Sequence, residues 1–372
     1  MPLYEEPPDG VVLAAEMLLA WTRSLVVEIG TPEDIAADVA EVLVAADARG
    51  IASHGTARLE QYVRLIDAGV VDPAARPVVV RSRAALSLLD AANGWGHHAG
   101  RVAMDRAIAG AAETGTSISI VRNTNHFGIA GWYAMRAAAR GMIGISLTNS
   151  SPLVAPTRGR VPMIGTNPIA VAVPAGRHGQ LVLDMATSTV PRGRIEVAAR
   201  RGERLPPGWA IAADGTPALT PEAALEGALQ PLGGQEETGG YKGYGLALVV
   251  DILTGVLAGA HFGPNIVGLF STDAPSDLGQ LFGAIDVDAV HDRTAFEQRV
   301  DGYIDQLAAA PRIPNAPGPV LYPGQPEAER AARNRRQGIV VDRAHYESLA
   351  RLAARFGLPA PAGAPRSGEA RD

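Results

Sequence analysis

The chain has 372 residues, enough for a large core and for two or three structural domains. A net charge of −6 argues against a nucleic-acid partner and against an anionic membrane surface. The absence of cysteine excludes disulfides, thiolate metal sites and cysteine nucleophiles, and it fits a reducing cytoplasm.

Met1 to Gly10 is acidic and proline-bearing and carries no secretory pattern, so residues 1–10 are expected to be a disordered tail. Residues 11–30 have apolar helical spacing. Thr31-Pro32-Glu33-Asp34 then reads as a helix start, with helix over 34–49 and a stop near Gly50. A further helix is predicted from Ala57 to Ala68. The texture then changes to short strands at Pro77–Val80 and Ala85–Asp90, a helix over Gly96–Thr114 stopped by Gly115, and a strand at Ser117–Val121. Trp132–Arg140 reads as helix, and Ile143–Thr148, Ile169–Val173 and Leu181–Asp184 as buried strands. Arg200–Gly240 reads as mostly loop with one short helix at Pro221–Leu229. Helix is expected again over 244–260, interrupted by Asp251 and several glycines, so it suits a buried helix better than a membrane span. A strand near Ala284–Val287, a helix over Thr294–Ala309 and a charged helix over Glu327–Arg336 follow. Residues 359–372 read as a disordered tail. The mixture indicates α/β or α+β architecture.

Several motifs can carry chemistry. Ser53-His54-Gly55 places a histidine at a glycine turn, and Arg58 follows at helical spacing; histidine suits proton transfer and arginine grips carboxylates. A capping serine with a solvated histidine and arginine would explain the same residues. Asn125-His126-Phe127-Gly128 follows a strand, where the histidine can meet a substrate or pack in the core. Thr148 to Pro152 and Gly165-Thr166-Asn167-Pro168 offer hydroxyls and amides, or plain turns. Asp184 ends a strand, where it can orient a histidine, bind a ribose hydroxyl or cap the next segment. Gly239 to Gly245, around Lys242, is glycine-dense and opens a helix, an arrangement that suits an anion. Neither a Walker motif nor a strand-to-helix Gly-x-Gly-x-x-Gly is present. No metal is expected, because His97 and His98 are adjacent and point apart on a helix.

The order and wording of these motifs resemble the type-2 malate/L-lactate dehydrogenase family over residues 11 to 340. The likeness is carried by Ser53 to Arg58, Asn125 to Gly128, Ile164 to Pro168, Leu183 to Ser188, Gly202 to Trp209, Leu225 to Leu229 and Lys242 to Gly245. It implies a non-Rossmann, L-sulfolactate dehydrogenase-like α/β fold and a homodimer. It also implies three units: a helical substrate and dimer domain (11–75 with 290–350), a central α/β domain (76–145 with 245–289) and a nicotinamide-nucleotide domain (146–244).

By the same resemblance the protein is a cytoplasmic, NAD- or NADP-dependent oxidoreductase of a small anionic 2-oxo or 2-hydroxy acid. The alternatives are a reductase of a cyclic 2-imino acid and a catalytically idle binding protein. His54 looks like the general acid/base, His126 like a catalytic histidine that serves some members as the proton acceptor, Asp184 like a further catalytic group, and Arg58, Ser53 and Thr166 like substrate contacts. Ser150, Asp184, Met185, Ala186, Lys242, Gly243, Gly324, Gln325 and Pro326 look like cofactor contacts. Arg192-Gly193-Arg194 replaces the family's Arg-Gly-Lys, and Arg158 and Arg160 add two cations where substrate or phosphate could bind.

Overall fold

The computed structural model describes residues 7, 10–269 and 271–366. Strand β1 (Val11–Leu13) comes first, where apolar spacing predicts helix, and leads into α1 (Ala15–Glu28) and α2 (Glu33–Ala48). Glu33 and Asp34 sit at the positive end of the α2 dipole. Two 3-10 turns, Ala52–His54 and Thr56–Arg58, precede α3 (Leu59–Asp67). The helix expected from Ala57 therefore starts late, because Thr56 is tied sideways to Asp47 of α2.

Strands β2 (Val78–Arg83) and β3 (Leu86–Asp90) form a hairpin. Helix α4 (Gly96–Thr114) crosses over to β4 (Thr116–Thr124), parallel to β3. Gly115 closes α4 at φ +80°, a left-handed cap that glycine adopts without strain. Helix α5 (Ala130–Ala138), β5 (Met142–Thr148), β6 (Ile169–Pro174) and β7 (Gln180–Met185) follow. Next come α6 (Arg192–Arg201), β8 (Ala210–Ile211), α7 (Pro221–Glu226) and β9 (Ala228–Leu229). Helix α8 (Gly240–Asp251) runs on through a wider π-turn at Ile252–Val256. The chain ends with β10 (Leu278–Asp286), α9 (Arg293–Ala308), α10 (Gln325–Gln337), β11 (Ile339–Val341), α11 (Arg343–Arg355) and β12 (Gly363–Pro365).

The main sheet runs β2-β3-β4-β10-β5-β6-β7, antiparallel except for β3 and β4. This is the mixed α/β architecture expected from the element pattern. Helices α4 and α5 cover one face, burying Met104, Phe127, Tyr133 and Phe282. Helix α8 covers the other through Val250, packed with Ile120, Leu147 and Leu281. Strands β6 and β7 fall within residues 146–244, expected as a separate unit, yet they extend this central sheet through backbone pairing to β5.

Two smaller cores flank the sheet. One joins α1, α2, α3 and α11 around Leu18, Ile35, Leu43 and Leu349. The other gathers α6, α7, β8 and β9 around Val154, Ile195 and Ala210. In α6 the buried residues are Ile195 and Ala198, too sparse a pattern to announce a helix in sequence.

The expected tail from residue 359 is ordered where it is described. Strand β12 pairs with β1, whose other edge is held by β11, so both edges of β1 are satisfied. Trp21 Nε1 donates to the Pro359 carbonyl at 2.8 Å, and the Tyr346 hydroxyl to the Pro361 carbonyl at 3.3 Å. Residues 1–6, 8–9 and 367–372, the rest of the expected tails, lie outside the described residues. Truncation after Leu358 should lower unfolding free energy by about 1–3 kcal/mol, because it strands the Trp21 donor and opens the β1 edge. Urea unfolding measures this, and an unchanged midpoint would contradict the docking of the tail.

Candidate active site

Two cavities, of about 550 and 390 Å³, meet at a common wall of Ser53, His54, Gly128, Thr166, Pro168 and Pro191. The loop carrying His54 is set from below. The buried Asp47 of α2 accepts from the Thr56 amide at 2.9 Å and from its hydroxyl at 2.6 Å. Gly55 permits this, since a Cβ there would run into the Asp47 carboxylate. Arg58 folds back on the loop: its Nε donates to the Ser53 carbonyl at 2.6 Å and its Nη1 to Gln61 at 3.0 Å. His54 and Arg58 are thus joined through a pair of 3-10 turns, not through one turn of α-helix.

His54 Nδ1 lies 2.9 Å from Ser53 Oγ. Its ring stacks on His126 with centroids 5.4 Å apart at 28°. Burial, reinforced by the Arg58 charge, pushes the His54 pKa down to about 4. His126 Nδ1 lies 2.6 Å from the Tyr62 hydroxyl and 3.3 Å from the Gly128 amide. Burial holds His126 well below its ordinary range, with His54, His97 and Arg58 adding to the effect. Behind them His97 is fully enclosed, edge-on to Tyr62 and Trp95, and burial pushes it down to about 3. Its neighbour His98 points elsewhere, onto Asp38 at 2.6 Å.

The larger cavity also holds Arg58, Ser150, Arg192 and Glu196. The Thr166 amide donates to Ser150 Oγ at 3.0 Å, and Asn167 Oδ1 accepts from the Ser150 amide at 3.0 Å. Arg192, the first residue of α6, pairs with Glu196 at 3.2 Å. The smaller cavity holds Arg49, Asp184, Met185, Ala186, Gly324 and Glu327. Asp184 Oδ2 accepts from the Gly131 amide in the first turn of α5 at 2.8 Å. A Cβ on Gly131 would sit 2.8 Å from the same oxygen, so glycine is needed for the approach. Asp184 is open to solvent through the cleft but enclosed on its other sides, and that burial pushes its pKa up to about 6. Asp184 thus meets this amide and does not orient a histidine; the group on His126 is Tyr62.

The structure therefore brings together Ser53, His54, Arg58, His126, Ser150 and Thr166 around one cavity. It brings Asp184, Met185, Ala186 and Gly324 around the other. Of the expected substrate and cofactor contacts, four line neither cavity. Lys242 is exposed, its ammonium 5.7 Å from the centre of the Tyr241 ring. Gly243 instead gives Leu232 room. Gln325 and Pro326 begin α10, and Gln325 Nε2 donates to Glu329. Arg158 and Arg160 line a separate cleft of about 540 Å³, where Arg158 pairs with Glu236 at 2.7 Å and Arg160 donates to the Ala213 carbonyl. Arg49, Tyr62, Glu196 and Glu327 escaped the sequence reading. Arg49, two residues from Ile51 and the histidine loop, was the most findable. Among the described residues no group of three or more His, Asp or Glu side chains could hold a metal ion, and no helix is long and apolar enough to cross a membrane.

Residues 13–350 match the family model for malate/L-lactate dehydrogenase. Malate dehydrogenase of Pyrococcus abyssi is 42% identical over 307 residues, covering 82% of this chain and 84% of that protein. L-sulfolactate dehydrogenase of Methanothermobacter thermautotrophicus is 35% identical over 347 residues, covering 93% and 95%. The crystal structure of malate dehydrogenase from Entamoeba histolytica superposes with a TM-score of 0.91 at 32% identity, covering 95% of this chain and 100% of that one. Further matches include a ureidoglycolate dehydrogenase (NAD(+)) of Escherichia coli, a (2R)-3-sulfolactate dehydrogenase (NADP(+)) of Chromohalobacter salexigens and the delta1-piperideine-2-carboxylate reductase structure from Pseudomonas syringae.

The depressed histidines make a prediction that is independent of any reaction. Between about pH 4 and 6.5 the unfolded chain binds protons that folded His54, His97 and His126 refuse, so their contribution to stability falls as pH drops through that window. Imidazole NMR of the free protein should show His54 titrating near pH 4. A midpoint at 6.5 would contradict the enclosure described above.

Proposed function

This chain belongs to the malate/L-lactate dehydrogenase family and is an oxidoreductase acting on the CH–OH group of hydroxy acids; from that premise we propose that it interconverts a small 2-hydroxy acid and its 2-oxo acid, with a nicotinamide dinucleotide as redox partner. One observation carries the reading: His54 stands on the wall between a cavity furnished with cations and a second cavity furnished with carboxylates and glycines.

The second cavity suits the nucleotide. Asp184 and Glu327 can accept ribose hydroxyls, Arg49 can face a phosphate, and Gly128, Gly131 and Gly324 leave space beside them. Gly324 holds φ +85°, and a Cβ there would collide with the Val182 backbone. Met185 and Ala186 complete this contact set, while Ser150, expected among the cofactor contacts, lines the larger cavity. When bound, the nicotinamide supplies or accepts the hydride; the chain's own task is placement and proton handling.

In the larger cavity Arg58 grips the 2-carboxylate, while Ser53 and Thr166 line the path of the substrate oxygen. His54 takes the hydroxyl proton during oxidation and returns it during reduction. Its low pKa keeps it a neutral base down to about pH 4 in the free protein. A substrate carboxylate on Arg58 offsets the cation that helps to depress it, raising the pKa when a proton has to be held. Arg192 supplies a second cation to the same cavity, so the favoured substrate has two anionic groups, like malate or sulfolactate. A cyclic 2-imino acid is the second reading, favoured by the likeness to the piperideine-carboxylate reductase structure, at 32% identity and a TM-score of 0.81.

The test begins with fluorescence titration of NADH and NADPH, followed by turnover of malate, sulfolactate, lactate, ureidoglycolate and a cyclic imino acid. Saturable nucleotide binding and a preference for dianionic acids are expected. His54→Ala should cut turnover by about 10²-fold or more. Arg192→Ala should raise KM for malate by about tenfold and leave lactate unaffected, on the scale of one lost ion pair. Equal rates on lactate and malate, in both proteins, would reject the two-anion assignment.

We propose also that the protein is a homodimer. Two apolar surfaces support this: Val78, Val79 and Val80 on the edge strand β2, and Leu246, Val249, Ile252 and Val256 along α8 and its continuation. Sedimentation equilibrium should return twice the chain mass. Val249→Glu with Ile252→Glu should shift it toward monomer, and a wild-type monomer at micromolar concentration would remove the proposal.

A further inference from the structure

We propose that Tyr62 is a positioning residue that locks His126 with its proton on Nε2, so that His126 offers a hydrogen-bond donor to the substrate oxygen and leaves proton transfer to His54. The assignment of the substrate oxygen rests on the proposed function; the tautomer does not.

The argument starts from what each neighbour of His126 can do. A backbone amide only donates, so the Gly128 N–H 3.3 Å from Nδ1 requires a lone pair there. Tyr62 lies 2.6 Å from the same nitrogen, is 4% exposed and keeps its phenolic proton, because burial pushes its ionisation well above the ordinary range. It therefore donates as well. A neutral imidazole has one N–H, which these two donors leave on Nε2. Among the described residues Nε2 has no hydrogen-bond partner, and the ring lines the larger cavity. The donor thus faces the space given to the substrate.

Burial first, and then its neighbours, hold the ring neutral. His54 stacks on it, His97 lies behind it with centroids 6.2 Å apart, and Arg58 is near enough to disfavour a second cation. Tyr62 itself is braced edge-on by Trp95 and His97, each with centroids 5.4 Å away, so its hydroxyl has little freedom to turn aside. His54 differs in the respect that matters. Its Nδ1 faces Ser53 Oγ, and a hydroxyl can donate or accept. His54 can therefore gain and lose a proton without stranding a neighbour, whereas protonating His126 at Nδ1 would set an N–H against the Gly128 amide.

Long-range proton–nitrogen NMR on the free protein reads the tautomer directly. Wild type should show neutral His126 with the proton on Nε2 at pH 7. Tyr62→Phe should raise the His126 midpoint and lower kcat by about tenfold, with the His54 midpoint unmoved. As a second variant, His126→Gln keeps a donor near the Nε2 position and should retain at least about tenfold more activity than His126→Ala. A wild-type proton on Nδ1 would overturn the proposal, as would Gln and Ala variants that are equally inactive. An Nε2 proton in a protein that turns over no hydroxy acid would sink the substrate assignment and leave the positioning by Tyr62 intact.

Discussion

The site depends on one buried carboxylate. Asp47 belongs to α2, yet its Oδ2 is spent on the amide and hydroxyl of Thr56, the residue that begins the second 3-10 turn after His54. Since the Thr56 hydroxyl proton goes to Asp47, His345 Nε2, 3.0 Å away, must donate to that hydroxyl's lone pair. One chain of hydrogen bonds thus runs from α11 through the His54 loop to α2. Burial alone would push the Asp47 carboxyl toward protonation, and the His345 and Thr56 contacts oppose that. Residues nearly three hundred positions apart in sequence consequently fix where His54 stands.

The enclosure that this loop creates has electrostatic consequences. His54 and His97 lie close enough to His126 to disfavour charging it; His97 is sealed from solvent, and the other two are half-buried at the cavity wall. Three imidazoles in one place are usually read as a metal site or as a store of positive charge. Here they are neutral, and neutrality gives them different tasks according to what each nitrogen touches. His97 packs against the rings of Tyr62, Trp95 and His126, and among the described residues neither of its ring nitrogens has a hydrogen-bond partner. His126 meets two donors and keeps one tautomer. His54 meets a hydroxyl that can reverse its role, and beside it Arg58 provides the charge that a carboxylate would relieve.

How much of this was legible depends on how local the cause was. The Ser53-His54-Gly55 turn, Asn125 to Gly128 and Asp184 announce themselves because glycine beside a polar group has a physical purpose within a few residues. Gly131, by contrast, looks like a helix glycine until Asp184 is seen against its amide. Tyr62 reads as a core aromatic on an amphipathic helix, and burial confirms that reading, yet its hydroxyl is the group that meets His126. Strand β12 was invisible for a related reason. Its residues have tail-like composition, and only the open edge of β1 gives them a place. Lys242 shows the converse: a sequence environment suited to an anion, with the ammonium lying over the Tyr241 ring and away from both cavities.

The sign of the whole protein also bears on the site. A chain of net charge −6 does not draw an anionic acid by its overall field. At physiological salt that field fades over about 8 Å, so it is the cations on the cavity wall that decide. Arg58 is held by the Ser53 carbonyl and Gln61 and so waits in place, while Arg192 is tethered to Glu196 across one turn of α6. A held arginine loses little side-chain freedom when a carboxylate arrives, and a tethered one must exchange its carboxylate partner for the ligand. The two cations therefore differ in kind. In the proposed function Arg58 would be preorganised for the group next to the reacting carbon, and Arg192 would discriminate, since a substrate without a second anionic end gives it no reason to leave Glu196.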